Sequence, residues 1–272
     1  MGKRQSRPWI VSDELWSLIE PLLPEPGPKL VAGRPRVPGR QALCGILFVL
    51  HTGIQWEYLP QELGFGSGMT CWRRPAAWNE AGVWEQLHLV LLRKLRSAKK
   101  LDWSRAVIDS SHVRAGPPGP KGGPSPVDRA RPGSKHHVLT DGQGIPLAVS
   151  LTGGNRNDVT QLLPLLDKVP VVAGVVGRPR RRPDMLFADR GYDHDKYRRL
   201  LGQRGIRPVI AERGQPHGSG LGIFRYTVER TIAWLHGFRH LRIRWEQRDD
   251  IHEAFLGLAT CLITYRHVQR LC

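Results

Sequence analysis

Arg105-Ala106-Val107-Ile108-Asp109 and Met185-Leu186-Phe187-Ala188-Asp189 are two short apolar runs, each closed by an aspartate. Runs of this length and composition predict buried strands. In an open sheet with parallel strands, ligand sites gather where strands end. If the two strands are neighbours, both carboxylates enter one crevice. Outward from this pair, residues 135–141 and 145–152 read as strands, joined by a hairpin turn at Gly142-Gln143-Gly144. Asn157 or Asp158 caps a helix running to Lys168. Helices follow over 193–203, 224–236 and 251–268, with a last short strand at 207–211. The order from residue 101 is β-β-β-α-β-α-β-α-α, an α/β fold, and no internal repeat is visible.

Residues 1–100 read as a separate, mostly α-helical domain. Ser12 caps a helix with Asp13 and Glu14 in its first turn, where negative charge is favoured. Arg40 to Thr52 carries Leu43, Ile46, Leu47 and Leu50 at helical spacing, and Val83, Leu87, Val90 and Leu91 mark another helix. Residues 24–39, rich in Pro, Gly and Arg, form a basic linker. A short helix near Thr70 is strained by Pro75. Six of the nine Trp (Trp9, Trp16, Trp56, Trp72, Trp78, Trp84) fall here and read mostly as core.

The chain of 272 residues carries 41 Lys and Arg against 24 Asp and Glu, a net charge of +17. Residues 1–100 hold 14 basic and 8 acidic residues and the remainder 27 and 16, so the excess is spread over both parts. A long polyanion suits such a surface, because each neutralised phosphate releases counterions. The alternative is simply a basic globular protein rich in Arg. Cys44, Cys71, Cys261 and Cys272 form no CxxC pair, which argues against a zinc knuckle. No signal region and no membrane-length apolar run is present, so the expected location is the cytoplasm, on the nucleoid.

Glu229 lies on a predicted helix 40 residues beyond Asp189. Three acids meeting in one crevice repel one another unless cations are present. Hard divalent ions with oxygen ligands fit, and Mg²⁺ is the commonest that works on phosphates. Taken singly, Asp109 and Asp189 also read as solvated strand ends, and Glu229 as a surface residue. Arg225 lies one turn before Glu229 on the same face, either as an ordinary ion pair or as a group that orients the acid or contacts phosphate. His112, His136 and His137 are read as structural or phosphate-contacting, and the adjacent pair cannot line one site. Asp193, Asp195, Asp249 and Asp250 read as surface positions. Two basic loops, with Arg114, Lys121, Arg129, Arg131 and Lys135 in one and Arg178 to Arg182 in the other, are expected to hold DNA near the acids.

Asp109-Ser110-Ser111-His112-Val113-Arg114-Ala115 resembles the first-acid motif of bacterial insertion-sequence transposases of the DDE type. Ala188-Asp189-Arg190-Gly191-Tyr192-Asp193 resembles the second, and Arg225-Tyr226-Thr227-Val228-Glu229-Arg230-Thr231 the third. Gly33-Arg34-Pro35-Arg36, Gly53-Ile54-Gln55-Trp56, Leu59-Pro60, Trp234-Leu235, Arg239-His240-Leu241 and Arg244-Trp245-Glu246 extend the match over almost the whole chain. The pattern is similar to insertion-sequence family five. It implies a ribonuclease-H-like core with a mixed sheet and flanking helices over 101–272, and an end-recognition domain over 1–100. It implies Asp109, Asp189 and Glu229 as ligands of two Mg²⁺ or Mn²⁺ ions, with Arg225 beside them. Arg114, Arg180, Arg181, Arg182, Arg230 and His236 are the expected DNA contacts. Double-stranded DNA, as terminal inverted repeats and target, is the expected partner, bound by a homodimer or larger assembly, with no membrane involved. Gly222 and His236 stand where the related Y-(2)-R-(3)-E-(6)-K signature has Tyr and Lys. The 40-residue spacing leaves no room for a β-rich insertion between the second and third acids. The rival readings are an inactive or domesticated DNA-binding derivative and another nuclease of the same fold.

Overall fold

The structure, a computed structural model, describes residues 7–25, 27, 35–116, 119–214 and 222–272. Gly33 and Arg34 of the first matching tetrad, much of the expected 24–39 linker and most of the loop before Gly222 lie outside the described residues.

Four helices open the chain: α1 (Asp13–Ile19), α2 (Gly39–Thr52), α3 (Gly68–Glu80) and α4 (Val83–Ser97). Ser12 caps α1 as expected, its hydroxyl accepting from the Leu15 N–H at 3.2 Å. The helix near Thr70 is longer than its sequence suggests and runs straight through Pro75. Ser67 caps it, and its Cys71, Pro75 and Trp78 are buried, so packing outweighs the lost backbone bond.

The sheet is built from β1 (Ala106–Ala115), β2 (Gly123–Pro124), β3 (Pro132–Asp141), β4 (Pro146–Gly153), β5 (Met185–Ala188), β6 (Arg207–Ile210) and β7 (Ile243–Arg244). β1, β3 and β4 form an antiparallel meander; β5 joins the other side of β1 in parallel, and β6 extends it in parallel. The spatial order β4-β3-β1-β5-β6 is that of the ribonuclease-H-like core. Between the strands come α5 (Leu162–Lys168), entered through a 3-10 turn at Asp158–Gln161, and α6 (Asp195–Gln203). The chain ends with α7 (Gly222–Gly237) and α8 (Asp249–Leu271).

Alternation along the strands sorts their side chains into two layers. Ala106, Ile108, Leu139, Leu186 and Ala188 face α5, α6 and the end of α4. Val107, Val138 and Phe187 face α7 and α8, and the N-terminal helices continue that same core. Trp84 of α4 is buried there, and Cys261 of α8 donates to its carbonyl at 3.2 Å. Buried Glu246 makes a polar joint between the two parts, accepting from the indoles of Trp56 at 2.9 Å and Trp72 at 3.4 Å. Desolvation works against its charge, but the His240 ring 3.4 Å away and the hydrogen bonds from the indoles outweigh it and hold its pKa below the ordinary value.

Two departures from the sequence reading bear on the site. The first strand does not stop at Asp109; it continues to Ala115, because β3 pairs with it from Ala106 to Arg114. The segment 116–133 is not all loop, since β2 and the start of β3 lie within it.

The turn between β3 and β4 docks α7. Asp141 accepts from the backbone N–H groups of Asp102, Gln143 and Ile145 at 2.8–2.9 Å and fixes the turn. Arg230 donates to the Gln143 carbonyl and Thr231 to the Gly144 carbonyl, both at 2.6 Å. Gly144 has φ +87°, and a Cβ there would lie 2.9 Å from the Thr227 carbonyl. Asp141→Ala leaves three donors without their acceptor. It should lower unfolding free energy by about 3 kcal/mol in urea titrations, since each orphaned buried donor costs about 1–3 kcal/mol.

Candidate active site

β1 and β5 are unequal partners. β5 pairs with β1 at Ala106–Leu186 and Val107–Phe187 and then ends. β7 takes up the same edge of β1 only at Arg114 and Ala115. Between these pairings the edge of β1 is open among the described residues, and Asp109 stands there. Asp109 lies two residues beyond Val107, and Asp189 two beyond Phe187, so the acids are adjacent across the parallel pair. The Asp189 side chain caps the 3-10 turn Arg190–Tyr192, accepting from the Gly191 N–H at 2.9 Å.

α7 brings the third acid. Phe224 near its start packs on Phe187, ring centroids 4.7 Å apart. The next residue is Arg225, whose Nη2 lies 3.3 Å from Asp109 Oδ2 and 3.3 Å from Glu229 Oε1. One guanidinium nitrogen therefore stands between two acids 120 residues apart in sequence. The Asp109 side chain is 15 % exposed and that of Glu229 is 53 % exposed. Burial raises the pKa of Asp109; the Ser110 N–H, at 2.8 Å, and Arg225 oppose this, and the charge of Asp189 adds to it. Arg225 is partly desolvated, yet Asp109, Asp189 and Glu229 together push its pKa up, so it is a fixed positive charge.

Asp109, Asp189, Arg225 and Glu229 thus come together at one place. The other candidates are dispersed. Arg114 is exposed and paired with Asp128 at 2.7 Å. Arg230 is held at the β3–β4 turn by the Gln143 carbonyl and lies over the Tyr226 and Trp234 rings, 5.6 and 4.9 Å from their centroids. His236 faces inward, with Nε2 3.2 Å from the Ser111 hydroxyl. Burial lowers its pKa, and Arg242 adds to the effect, so it is a neutral imidazole where the signature has a cationic Lys.

The expectation that Arg180, Arg181 and Arg182 lie near the acids is corrected. They precede the first residue of β5, whereas Asp189 follows its last, roughly 13 Å further along a four-residue strand. Arg180 pairs with Asp184, Arg181 donates to the Asp167 carbonyl, and Arg182 to the Arg204 carbonyl at 3.2 Å. Lys135 is buried, not on a loop surface, and its Nζ is held by the Arg156 carbonyl at 2.7 Å and Asp158 at 2.8 Å. Lys121 is engaged by Asp249 and Glu253 at 3.3 and 2.8 Å. Asp193 is no idle surface acid: it accepts from the Arg213 N–H at 2.8 Å and Arg198 at 2.9 Å, which lowers its pKa.

The sequence reading missed Asp158. Asp158 was seen only as a helix cap, but it anchors Lys135 and lies 4.0 Å from His137. His136 and His137 face opposite ways and are wholly buried. His136 bonds His252 at 2.9 Å and His137 bonds Thr152 at 2.7 Å, a structural role for both.

A family profile described as "Putative transposase of IS4/5 family" matches residues 11–88, and one described as "Transposase DDE domain" matches residues 103–220. The "Putative transposase for insertion sequence element IS402" of Burkholderia cepacia is 61 % identical over 151 residues, spanning 56 % of this chain and 72 % of that protein. The chain belongs to the DDE transposases of the IS4/5 type. The "Insertion element IS402 uncharacterized 16.2 kDa protein" of the same organism is 56 % identical over 119 residues, 43 % of this chain and 81 % of that protein. Among solved structures, the Mos1 strand transfer complex matches at a TM-score of 0.34 and 10 % identity, covering 90 % of this chain and 79 % of that one. The transposase is accordingly a DNA-cleaving and DNA-joining enzyme of a family that works with divalent metal ions. No helix among its described residues is long and apolar enough to cross a membrane.

The acids suit such an ion in donor chemistry, since they offer hard carboxylate oxygens and neither sulfur nor imidazole. Among the described residues no three His, Cys, Asp or Glu side chains are gathered closely enough to hold one. Arg225 stands between two of the three and supplies the positive charge the cluster requires.

Asp109 gives a signed pH prediction. With its folded pKa raised, the protonated form favours folding, so stability is lost as pH rises from the ordinary aspartate value of 3.8 through the folded one. In EDTA, Asp109→Asn should unfold at higher denaturant than wild type at pH 7.5. The gap should close below pH 3.8.

Proposed function

We propose that Asp109, Asp189 and Glu229 hold two Mg²⁺ or Mn²⁺ ions, and that the enzyme cuts and joins strands at the inverted-repeat ends of an insertion sequence. The observation that carries this reading is the shared guanidinium nitrogen of Arg225, 3.3 Å from both Asp109 and Glu229, beside the Asp109–Asp189 pair. A cluster that needs a cation even without a metal ion is built to receive one. When bound, a pair of divalent ions activates the attacking oxygen and stabilises the leaving 3′ oxygen of a phosphodiester.

The protein's own groups do the positioning. Asp109 is fixed within a paired strand and Asp189 by its turn, so both carboxylates are preorganised. Glu229 is more than half exposed on α7 and turns toward the acids once Arg225 yields its place. Arg225 remains beside the reacting phosphate as a positive charge. Hydrolysis frees a 3′ hydroxyl, which then attacks a target phosphodiester in the same geometry. Residues 1–100 bind the terminal repeats as a unit, and Arg114 and Arg230 contact the DNA backbone. Arg180, Arg181 and Arg182 reach DNA from the far end of β5. The protein acts as a homodimer or larger assembly on DNA, in the cytoplasm at the nucleoid. All three acids are present, which sets it apart from an inactive derivative.

Cleavage of an end-bearing duplex should require Mg²⁺ or Mn²⁺ and vanish in EDTA; full activity in EDTA sinks the metal reading. Asp109→Asn and Asp189→Asn should lower cleavage by about 10³-fold, the scale of lost transition-state electrostatics, while gel-shift binding to the same duplex persists. Asp193→Asn should still cut. Replacing Arg180, Arg181 and Arg182 by Ala should flatten the salt dependence of DNA binding by roughly one unit of slope per lost phosphate contact. An unchanged slope would assign that loop a purely structural role.

A further inference from the structure

β4 lies at one border of the sheet and, among the described residues, pairs with β3 alone. Gly154 continues that ladder, donating to the Gly133 carbonyl at 2.9 Å. In an antiparallel pair the alternate residues Val149, Leu151 and Gly153 therefore turn their backbone groups outward. Two of those carbonyls are already taken. Lys168 Nζ donates to that of Val149 at 3.4 Å, and the Arg156 N–H to that of Gly153 at 3.0 Å. An added peptide strand would need both, so this border is poorly suited to strand pairing. Ser150, Leu151, Thr152 and Gly153 instead line an open cavity of about 790 Å³, with Lys168 and Arg156 at its two ends. Both cations are exposed, and neither has an acidic partner among the described residues. The neighbouring acids are committed elsewhere: Glu253 to Lys121 at 2.8 Å, Asp158 to Lys135 at 2.8 Å and Asp167 to Arg204 at 2.7 Å. Gln161, which also lines the cavity, accepts from Ser150 Oγ at 3.0 Å, and its NH₂ is left as a donor.

We propose that this groove is a second seat for DNA backbone, with Lys168 and Arg156 on different phosphates. Charge complementarity names the occupant: the cavity offers cations and amide N–H donors without an uncommitted carboxylate, on a chain of net charge +17. The two cations are anchored at Val149 and Gly153, roughly 13 Å apart along an extended strand. Phosphates advance about 3.4 Å per nucleotide along one strand of a duplex, so one phosphate does not serve both. β4 is two strands from β1, roughly 10 Å across the sheet. The segment in the groove is therefore held without being cut. The inference rests on the reading of DNA as the partner.

The test uses the full chain and a duplex of arbitrary sequence without inverted repeats. EDTA is present, so no metal ion at the acids takes part. Fluorescence anisotropy gives the affinity from about 50 to 200 mM salt. The double variant Arg156→Gln, Lys168→Gln should bind more weakly and flatten the slope of log affinity against log salt by about 1.8, the release expected for two phosphates. The charge-conserving pair Arg156→Lys, Lys168→Arg should keep the wild-type slope, and all three proteins should melt together. A wild-type slope in the double Gln variant overturns the proposal and leaves the DNA reading standing. So does a clear fall in its thermal midpoint without DNA, which would make the two residues structural. A change of oligomeric state in sedimentation of that variant, again without DNA, assigns the groove to a second copy of the chain and also overturns it. Wild type that binds repeat-bearing DNA but no plain duplex sinks the groove alone; wild type that binds neither sinks both readings.

Discussion

A carboxylate taken out of water needs a positive charge beside it, and the catalytic half of this transposase is arranged around that requirement at Asp109. The side chain is 15 % exposed, and Asp189 adds a second negative charge across the neighbouring strand. Arg225 resolves the conflict by lying between Asp109 and Glu229. An arginine suits the place because it stays charged even when partly desolvated. The cluster stores a demand for cations that a hydrophobic replacement would abolish, a cost in stability of the kind active sites carry.

The geometry that permits this is a mismatch of strand lengths. β1 has ten residues and β5 has four, so the edge of β1 is uncovered just past their shared pairs. Backbone pairing with β3 keeps β1 straight through the gap. α7 then closes over the opening, held at Phe224 by Phe187 and at Arg230 and Thr231 by the β3–β4 turn. Asp141 sets that turn, so a buried acid remote from the chemistry governs where Glu229 stands. The N-terminal helices join the same core through Trp84 and the Glu246 joint, which ties any movement of those helices to α8.

Much of the core was legible. Apolar runs closed by acids, the Gly142-Gln143-Gly144 turn and the helical spacing of Leu and Val located the elements to within a few residues. The misreadings share a cause. Asp109 looked like a strand end because polar residues follow it, yet Ser110, Ser111 and His112 are held in the sheet by β3. Lys135 looked like a loop cation because it follows a basic stretch, yet Asp158 and the Arg156 carbonyl make its burial tolerable. Arg180 to Arg182 looked close to Asp189 because they are close in sequence, and a strand carries them to the other end. Asp158 gave no signal, since nothing in its local spacing marks a partner supplied from elsewhere.

The chain's order of residues by itself determined the element types, a run of helices ahead of alternating strands and helices, and the three acids with their motifs. These depend on local periodicity, capping and turn chemistry, which act over a few residues. Tertiary structure alone decided that one guanidinium serves two acids, that Lys135 is buried against Asp158, and that the second basic loop sits at the opposite end of β5. Each of those facts joins groups distant in sequence across the sheet. Their free energies depend on burial and through-space charge, which no window of sequence contains.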